Sequence, residues 1–120
     1  MGVTELSVSA SAEDGPGGPR TVVRLVGEAD VTTRVLVDAL EAECAKRPRL
    51  LLIDASALTF IDSAAIHEVV LAHRRLRANG GQLALIRPSS PVARVLGLSG
   101  LDTVIPVHAS ADEAAGALLR

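Results

Sequence analysis

The first thirty residues alternate between hydrophobic and polar positions in a way that predicts two half-buried strands. Leu6, Val8 and Ala10 are separated by polar residues, and residues 21–26 form a second, mainly apolar segment. Residues 11–19, between them, contain three glycines and two prolines, a composition that favours turns. We therefore expect an N-terminal hairpin whose loop spans residues 11–19, followed by a turn at residues 27–30.

The next segment has the spacing of an amphipathic helix. Apolar residues recur at helical intervals between Val35 and Cys44. Thr32 or Thr33 is available to cap the start of this helix. Pro48 ends the pattern, because a proline cannot continue a helix.

A short run of apolar residues, 50–53, precedes the strongest helical pattern in the chain. The run is closed by Asp54, and such a run is typical of a strand buried on both faces of a sheet. After a predicted loop, apolar residues recur at helical spacing through residues 66–76. This pattern predicts a helix that begins at Asp62 and Ser63.

The last forty residues predict two strands and two helices. Residues 82–87 and 104–107 have strand-like composition. Ser90, followed by a proline, predicts the N-cap of a short helix that runs through Leu96. Residues 110–113 read Ser-Ala-Asp-Glu, which is a capping box at the start of a C-terminal helix.

The predicted element order is β-β-α-β-α-β-α-β-α. Strand-helix-strand connections favour parallel pairing, so we expect an α/β domain with a mixed four- to five-stranded sheet, residues 51–53 in its central strand, and about four helices. In such sheets, ligands and partners meet the loops at the carboxyl ends of the strands. The residues predicted on those loops are Glu28, Asp30, Asp54, Asp62 and Ser63.

Composition restricts the kinds of partner that the protein is expected to bind and the compartment in which it is expected to act. The 120 residues carry twelve Lys and Arg against fourteen Asp and Glu, and Phe60 is the only aromatic residue. A nearly neutral chain with one aromatic residue is a poor candidate for direct binding to nucleic acid or an anionic membrane. The N-terminus has no signal-peptide pattern and no apolar run reaches about 18 residues. We therefore expect a cytoplasmic protein without membrane insertion, in which the single cysteine, Cys44, is buried and unpaired.

Three chemical interpretations lack the residues they require. A phosphoaspartate receiver centred on Asp54 needs a lysine after its last strand, but the only lysine, Lys46, falls at the end of a helix. A serine hydrolase of the Gly-x-Ser-x-Gly type does not fit Ser63, which lies between Asp and Ala. His67 and His73 are six residues apart, about 240° around one helix, and cannot share a metal ion. We therefore predict no enzymatic activity, no cofactor and no metal site.

Ser63 is the remaining candidate for chemistry. It falls at the N-terminus of the most regular predicted helix, where unpaired backbone N–H groups and the helix dipole favour an anion. A serine that simply caps the helix explains the same position equally well.

Several segments, in order, resemble the STAS-domain anti-sigma factor antagonists. Residues 51–63 read LLIDASALTFIDS, residues 80 and 81 are both glycine, and residues 95–102 read VLGLSGLD. Residues 27–30, Gly-Glu-Ala-Asp, are similar to the family's Gly-Glu-x-Asp turn after its second strand. The similarity runs from about residue 20 to about residue 110, so we expect residues 1–120 to form a single STAS domain.

The resemblance implies a regulatory binding protein. In that family the domain binds an anti-sigma factor that is also a serine kinase and thereby releases the sigma factor, phosphorylation of a serine ends the binding, and a phosphoserine phosphatase restores it. Ser63 matches the phosphorylated serine, Asp62 its acidic neighbour, and Asp30 the acidic residue of the turn. Glu28 belongs to the same turn, and His67 projects from the same helix face as Ser63. These five residues are the predicted partner-binding set.

A second interpretation places the chain in another complex. An unphosphorylated STAS scaffold or adaptor, in a stressosome-like assembly or a lipid-transport system, has the same fold without the switch. Either protein is expected to be a monomer or a weak dimer.

Overall fold

The described part of the chain, residues 5–30 and 34–119 of the computed structural model, is built around a five-stranded sheet. The strand order is β1-β2-β3-β4-β5, with β1 antiparallel to β2 and all other neighbours parallel. The elements in chain order are β1 Ser7–Gly15, β2 Gly18–Ala29, α1 Arg34–Ala45, β3 Leu50–Ile61, α2 Ser63–Ala78, β4 Gln82–Ile86, α3 Ser90–Ser99, a 3-10 turn Leu101–Thr103, β5 Val107–His108 and α4 Ala111–Leu118. This architecture confirms the predicted mixed sheet with four helices. The predicted caps Thr32 and Thr33 lie outside the described residues.

The N-terminal hairpin is longer than predicted. The prediction of a loop over residues 11–19 is wrong, because β1 and β2 stay paired without interruption from Ser7 opposite Val26 to Gly15 opposite Gly18. Only two residues form the turn, and Gly17 has a φ of 86°, in the left-handed region where glycine is unstrained. The glycines and prolines therefore mark one tight turn instead of a long loop.

The prediction of a turn at residues 27–30 is also wrong for Glu28. Strand β2 continues to Ala29, and half-buried Glu28 lies within it, opposite Phe60 of β3. Gly27 has a φ of 105°, and the register with β3 shifts between Gly27 and Glu28. A glycine with this φ allows a bulge at which the strand bends and then resumes its pairing.

Strand β3 continues for eight residues beyond the predicted apolar run. The prediction that Asp54 ends the strand and lies on a loop is wrong, since β3 extends through it to Ile61. The predicted loop before α2 is therefore strand as well. β3 occupies the centre of the sheet, as predicted, between β2 and β4.

Two hydrophobic clusters cover the two faces of this sheet. The larger contains the buried side chains of α1, α2 and α3, including Leu36, Val69 and Leu96. The smaller joins Ala114 and Ala115 of α4 to alternate residues of β2, β3 and β4. Cys44 lies in the larger cluster as a free thiol, as predicted, and burial raises its pKa. No helix in the described residues is long and apolar enough to cross a membrane.

The C-terminal third departs from prediction in two places. The N-cap of α3 is Ser89, one residue before the predicted Ser90, and the helix continues to Ser99. The prediction of a strand at residues 104–107 is wrong except for Val107, which begins the two-residue strand β5; residues 104–106 connect β5 to the preceding 3-10 turn. The serine half of the capping box is confirmed, because the Ser110 hydroxyl accepts a hydrogen bond from the backbone N–H of Glu113 at 3.0 Å. The Glu113 carboxylate accepts from the backbone N–H of Ala109 at 3.4 Å, one residue before the predicted donor.

An ion pair explains how a carboxylate can lie inside the central strand. Asp54 accepts hydrogen bonds from the Ser56 backbone N–H at 3.0 Å, from the Ser56 hydroxyl at 2.7 Å and from the Arg87 guanidinium at 2.6 Å. Burial by itself raises the pKa of Asp54, but the hydrogen bonds from Ser56 and Arg87 and the charge of Arg87 outweigh it and hold the pKa below its ordinary value. Arg87 directly follows β4, so the pair fixes the connection from β4 to α3 against the central strand.

We predict that Asp54→Asn lowers the free energy of unfolding at pH 7 by about 2 kcal/mol, because it removes a charge-assisted hydrogen bond from a buried site. The folded-state pKa is depressed, so the contribution of Asp54 is fully present above the ordinary aspartate pKa of about 3.9 and is lost as pH falls through the lower folded value. Urea unfolding from pH 7 down to pH 3 measures this difference.

The matched control is Asp38→Asn, which breaks an exposed ion pair with Arg34 in α1 and should change stability by less than about 0.5 kcal/mol. Equal losses in the two variants, or an Asp54→Asn loss that persists undiminished in acid, would contradict the assigned role of Asp54.

Candidate functional site

The carboxyl ends of β2 and β3 meet at one edge of the sheet and form the candidate site. Ala29 pairs with Ile61, and the backbone N–H of Asp62 donates to the Ala29 carbonyl at 3.0 Å. This last bond holds the start of α2 against the end of β2. As a result Asp30, which follows Ala29, is adjacent to the segment that carries Asp62 and Ser63.

Asp62 is the N-cap of α2. Its backbone is extended, and its Oδ1 accepts a hydrogen bond from the Ala65 backbone N–H at 2.9 Å. The helix therefore satisfies one of its free N-terminal donors with a carboxylate, which also interacts favourably with the positive end of the helix dipole. The sequence is compatible with Ser63 as the helix cap, but in the structure Asp62 caps the helix.

Ser63 is the first residue of α2 and is exposed, as its predicted position at a helix start requires. Its hydroxyl has no hydrogen-bond partner within the described residues, so it is available for modification. An anion attached to this hydroxyl lies beside the N-terminal turn of α2, where free backbone N–H groups and the helix dipole stabilise negative charge.

The predicted site residues around Ser63 differ in how far they are exposed. His67 is exposed one helical turn after Ser63, whereas Ala65 points into the core and is 3% exposed. Glu28 is half-buried at the penultimate position of β2. Of the five predicted site residues, the structure gathers Glu28, Asp30, Asp62 and Ser63 at the joined strand ends and places His67 on the adjoining helix.

Phe60 belongs to the same surface and was not among the predicted site residues. It pairs with Glu28 two residues before the helix cap, and its side chain is 45% exposed. Large aromatic residues are enriched among the residues that anchor protein interfaces. The sequence feature that points to Phe60 is its position: the only aromatic residue of the chain lies three positions before Ser63.

Asp54 does not belong to this site. Its side chain is buried and paired with Arg87 in the middle of β3, seven residues before the strand ends. It therefore has a structural role, which leaves no exposed carboxylate at that position for phosphoryl chemistry.

The three histidines are separated by the fold. His73 is buried on α2, and burial together with Arg77 and Arg74 lowers its pKa. His108 lies on β5 with its Nδ1 3.1 Å from Glu113. Within residues 5–30 and 34–119, no group of three His, Cys, Asp or Glu side chains is arranged to hold a metal ion.

Comparisons with known proteins identify relatives with this architecture. Residues 10–114 match the family model described as the STAS domain. The anti-sigma F factor antagonist of Paenibacillus polymyxa is 28% identical over 89 residues, which cover 72% of this chain and 76% of that protein. The crystal structure of an anti-sigma factor antagonist from Mycobacterium paratuberculosis has a TM-score of 0.78 and 29% identity, and the match covers 95% of this chain and 96% of that one.

A third relative has been solved in two chemical states. The anti-sigma factor antagonist SpoIIAA matches in its unphosphorylated form with a TM-score of 0.67 and 24% identity, over 88% of this chain and 92% of that one. Its phosphorylated form matches with a TM-score of 0.62 and 23% identity, over 91% and 98% of the two chains. At these identities the match shows the same fold.

We predict that Asp62→Ala lowers the free energy of unfolding by about 1 kcal/mol, because the Ala65 N–H loses its capping acceptor. Asp62→Asn retains an acceptor and should cost only a few tenths of a kcal/mol. Chemical denaturation of both variants measures the difference, and an Asp62→Ala variant as stable as the wild type would show that the cap contributes nothing to folding.

Proposed function

The chain belongs to the STAS domain family of anti-sigma factor antagonists, and on that premise we propose that it binds an anti-sigma factor through the surface around Ser63 and is switched off by phosphorylation of Ser63. The observation that carries the proposal is the exposed hydroxyl of Ser63 at the first position of α2. Because Asp62 provides the helix cap, Ser63 can be modified without loss of that cap.

The electrostatic consequence of phosphorylation is large enough to switch an interface. A phosphate adds about −1.5 to −2 charges at pH 7, next to a site that already contains Asp62, Asp30 and Glu28. A unit negative charge on a partner about 6 Å away is repelled by roughly 3 kcal/mol at an effective dielectric constant near 20. That corresponds to about a hundredfold loss of affinity.

The unmodified surface offers one exposed aromatic residue and several acidic residues to a partner. Phe60 supplies the aromatic anchor, Glu28 pairs with it across the strands, and Asp30 follows the end of β2. His67 extends the surface along α2. We propose that the partner contacts these residues together with Ser63, and that exposed Phe60 and the half-buried acidic groups set its specificity.

The proposed cycle requires two enzymes that act on this chain. The anti-sigma factor, as a serine kinase, transfers the terminal phosphoryl group of ATP to the Ser63 hydroxyl, so that ADP leaves and the hydroxyl proton is released. A phosphoserine phosphatase hydrolyses the ester with water, which releases inorganic phosphate and restores the hydroxyl. The chain itself needs no nucleotide site, because the kinase supplies the nucleotide. The existence of SpoIIAA in phosphorylated and unphosphorylated forms supports such a cycle.

We predict that Ser63 is the residue phosphorylated when the chain is incubated with magnesium ATP and anti-sigma factor kinases of the same genome. Intact mass should rise by one phosphate, and peptide mapping should assign it to Ser63. Ser63→Ala should abolish phosphorylation and retain partner binding, whereas Ser63→Asp should bind more weakly by about tenfold or more, since one carboxylate supplies part of the charge of a phosphate.

Ser90 provides a matched control for these variants. It is also exposed at the first position of a helix, α3, so Ser90→Ala and Ser90→Asp make the same chemical changes in the same local geometry. Both should be phosphorylated and bound like the wild type. Phosphate on Ser90, or unchanged partner affinity in Ser63→Asp, would reject the switch. If none of these kinases modifies or binds the chain, the chain is instead an unphosphorylated STAS scaffold or adaptor.

We further predict that Phe60→Ala lowers partner affinity by about tenfold or more, as expected for an aromatic anchor. Its effect on the free energy of unfolding should be small, because nearly half of the side chain is already in water. Leu98→Ala is the control, since Leu98 is 81% exposed on α3 and lies outside the proposed interface. Calorimetric titration of each variant against the partner decides the matter, and an equal effect of the two substitutions would remove Phe60 from the interface.

A further inference from the structure

The two edges of the sheet differ in a way that the proposed switch does not explain. One edge is β5, which has only two residues. The other is β1, whose nine residues pair with β2 on one side without any shift of register. In the described part of the chain no strand pairs with the other side of β1. The backbone donors and acceptors on that side are therefore open to another strand.

The open edge carries few of the features by which sheet proteins usually block edge pairing. Such proteins use short strands, prolines, charged side chains, bulges or a covering element. Strand β1 reads SVSASAEDG. Its only charged residues are Glu13 and Asp14 beside the turn, and residues 7–12 are small or uncharged. An edge of this length and smoothness is a template for strand addition.

We propose that this edge binds a second copy of the same chain, with the two β1 strands antiparallel and centred on Ser11. This register pairs all nine residues, and it places Ser11 opposite the partner's Ser11 and Ala10 opposite the partner's Ala12. Glu13 then faces the partner's Ser9. A parallel, in-register pairing would instead place each acidic residue opposite itself, which is destabilising. The charge pattern therefore selects the antiparallel arrangement.

The small side chains at the centre of β1 are compatible with this arrangement. Leu6 and Val8 pack against the larger core cluster on the α1 side of the sheet. Ala10 and Ala12 lie on the same face, because strand side chains alternate, and both are exposed. In the antiparallel pair they lie opposite each other, and their small size leaves the backbones free to approach.

The resulting dimer has a ten-stranded sheet and does not involve Ser63. Ser63 follows β3, two strands away from the open edge. Because the two copies run in opposite directions, their Ser63 sites lie at opposite ends of the sheet. One pair of strands buries less surface than the roughly 1,200–2,000 Å² of a stable interface, so the dimer is weak and depends on concentration.

The first test replaces Ala10 and Ala12 with charged residues and measures dimerisation. The sedimentation coefficient of the wild type should rise with concentration towards that of a dimer. Ala10→Lys with Ala12→Lys, and separately Ala10→Glu with Ala12→Glu, should each weaken dimerisation at least about tenfold by like-charge repulsion across the pair. An equimolar mixture of the two double variants should recover dimerisation, because every lysine then faces a glutamate. The matched control is Ala78→Lys, an exposed site on α2, which should behave like the wild type.

The second test measures the register. Under mild oxidation Ser11→Cys should form a disulfide-linked dimer, since directly opposed residues have Cα atoms about 4.5–5.5 Å apart. Ser9→Cys should not, because in this register the two substituted residues are four positions apart. The native Cys44 is buried and provides the uncrosslinked background. The proposal is overturned by a wild type that stays monomeric up to about 1 mM, by charge variants that dimerise unchanged, or by equal cross-linking of the two cysteine variants.

Discussion

Parallel pairing of β2 with β3, from Thr21 opposite Leu51 to Ala29 opposite Ile61, is the constraint on which the rest of the structure depends. Each strand has twelve residues, and the pairing continues to the last residue of both, Ala29 opposite Ile61. The next bond, from the Asp62 N–H to the Ala29 carbonyl, carries the alignment into the first turn of α2. The position of Ser63 at the surface is thus set by backbone hydrogen bonds.

Two local solutions make this long pairing possible. An ionised carboxylate in a central strand is costly unless it is paired, and Arg87 and Ser56 provide its partners. The shift of register at Gly27 is absorbed by a backbone conformation that glycine adopts without strain.

The same two features show which parts of the structure can be predicted from the sequence and which cannot. The order of elements, the mixed sheet and the start of α2 follow from hydrophobic periodicity and capping signals, which are local. The extension of β3 past Asp54 depends on an arginine 33 residues away, and a local pattern reports Asp54 only as a polar residue that ends an apolar run. Glu28 was placed on a turn for a similar reason, since a glycine indicates a bulge and a turn equally well. In the site, Phe60 was missed because its exposure depends on a neighbouring strand.

The separate roles of Asp62 and Ser63 have a consequence for the proposed switch. Asp62 caps the helix and Ser63 presents the hydroxyl, so in the proposed cycle the phosphorylated and unphosphorylated chains share a single folded shape. Proteases act on unfolded or loosened chains, so on this proposal both states are degraded at the same rate. The proposed cycle then changes the ratio of the two states without changing the amount of the protein.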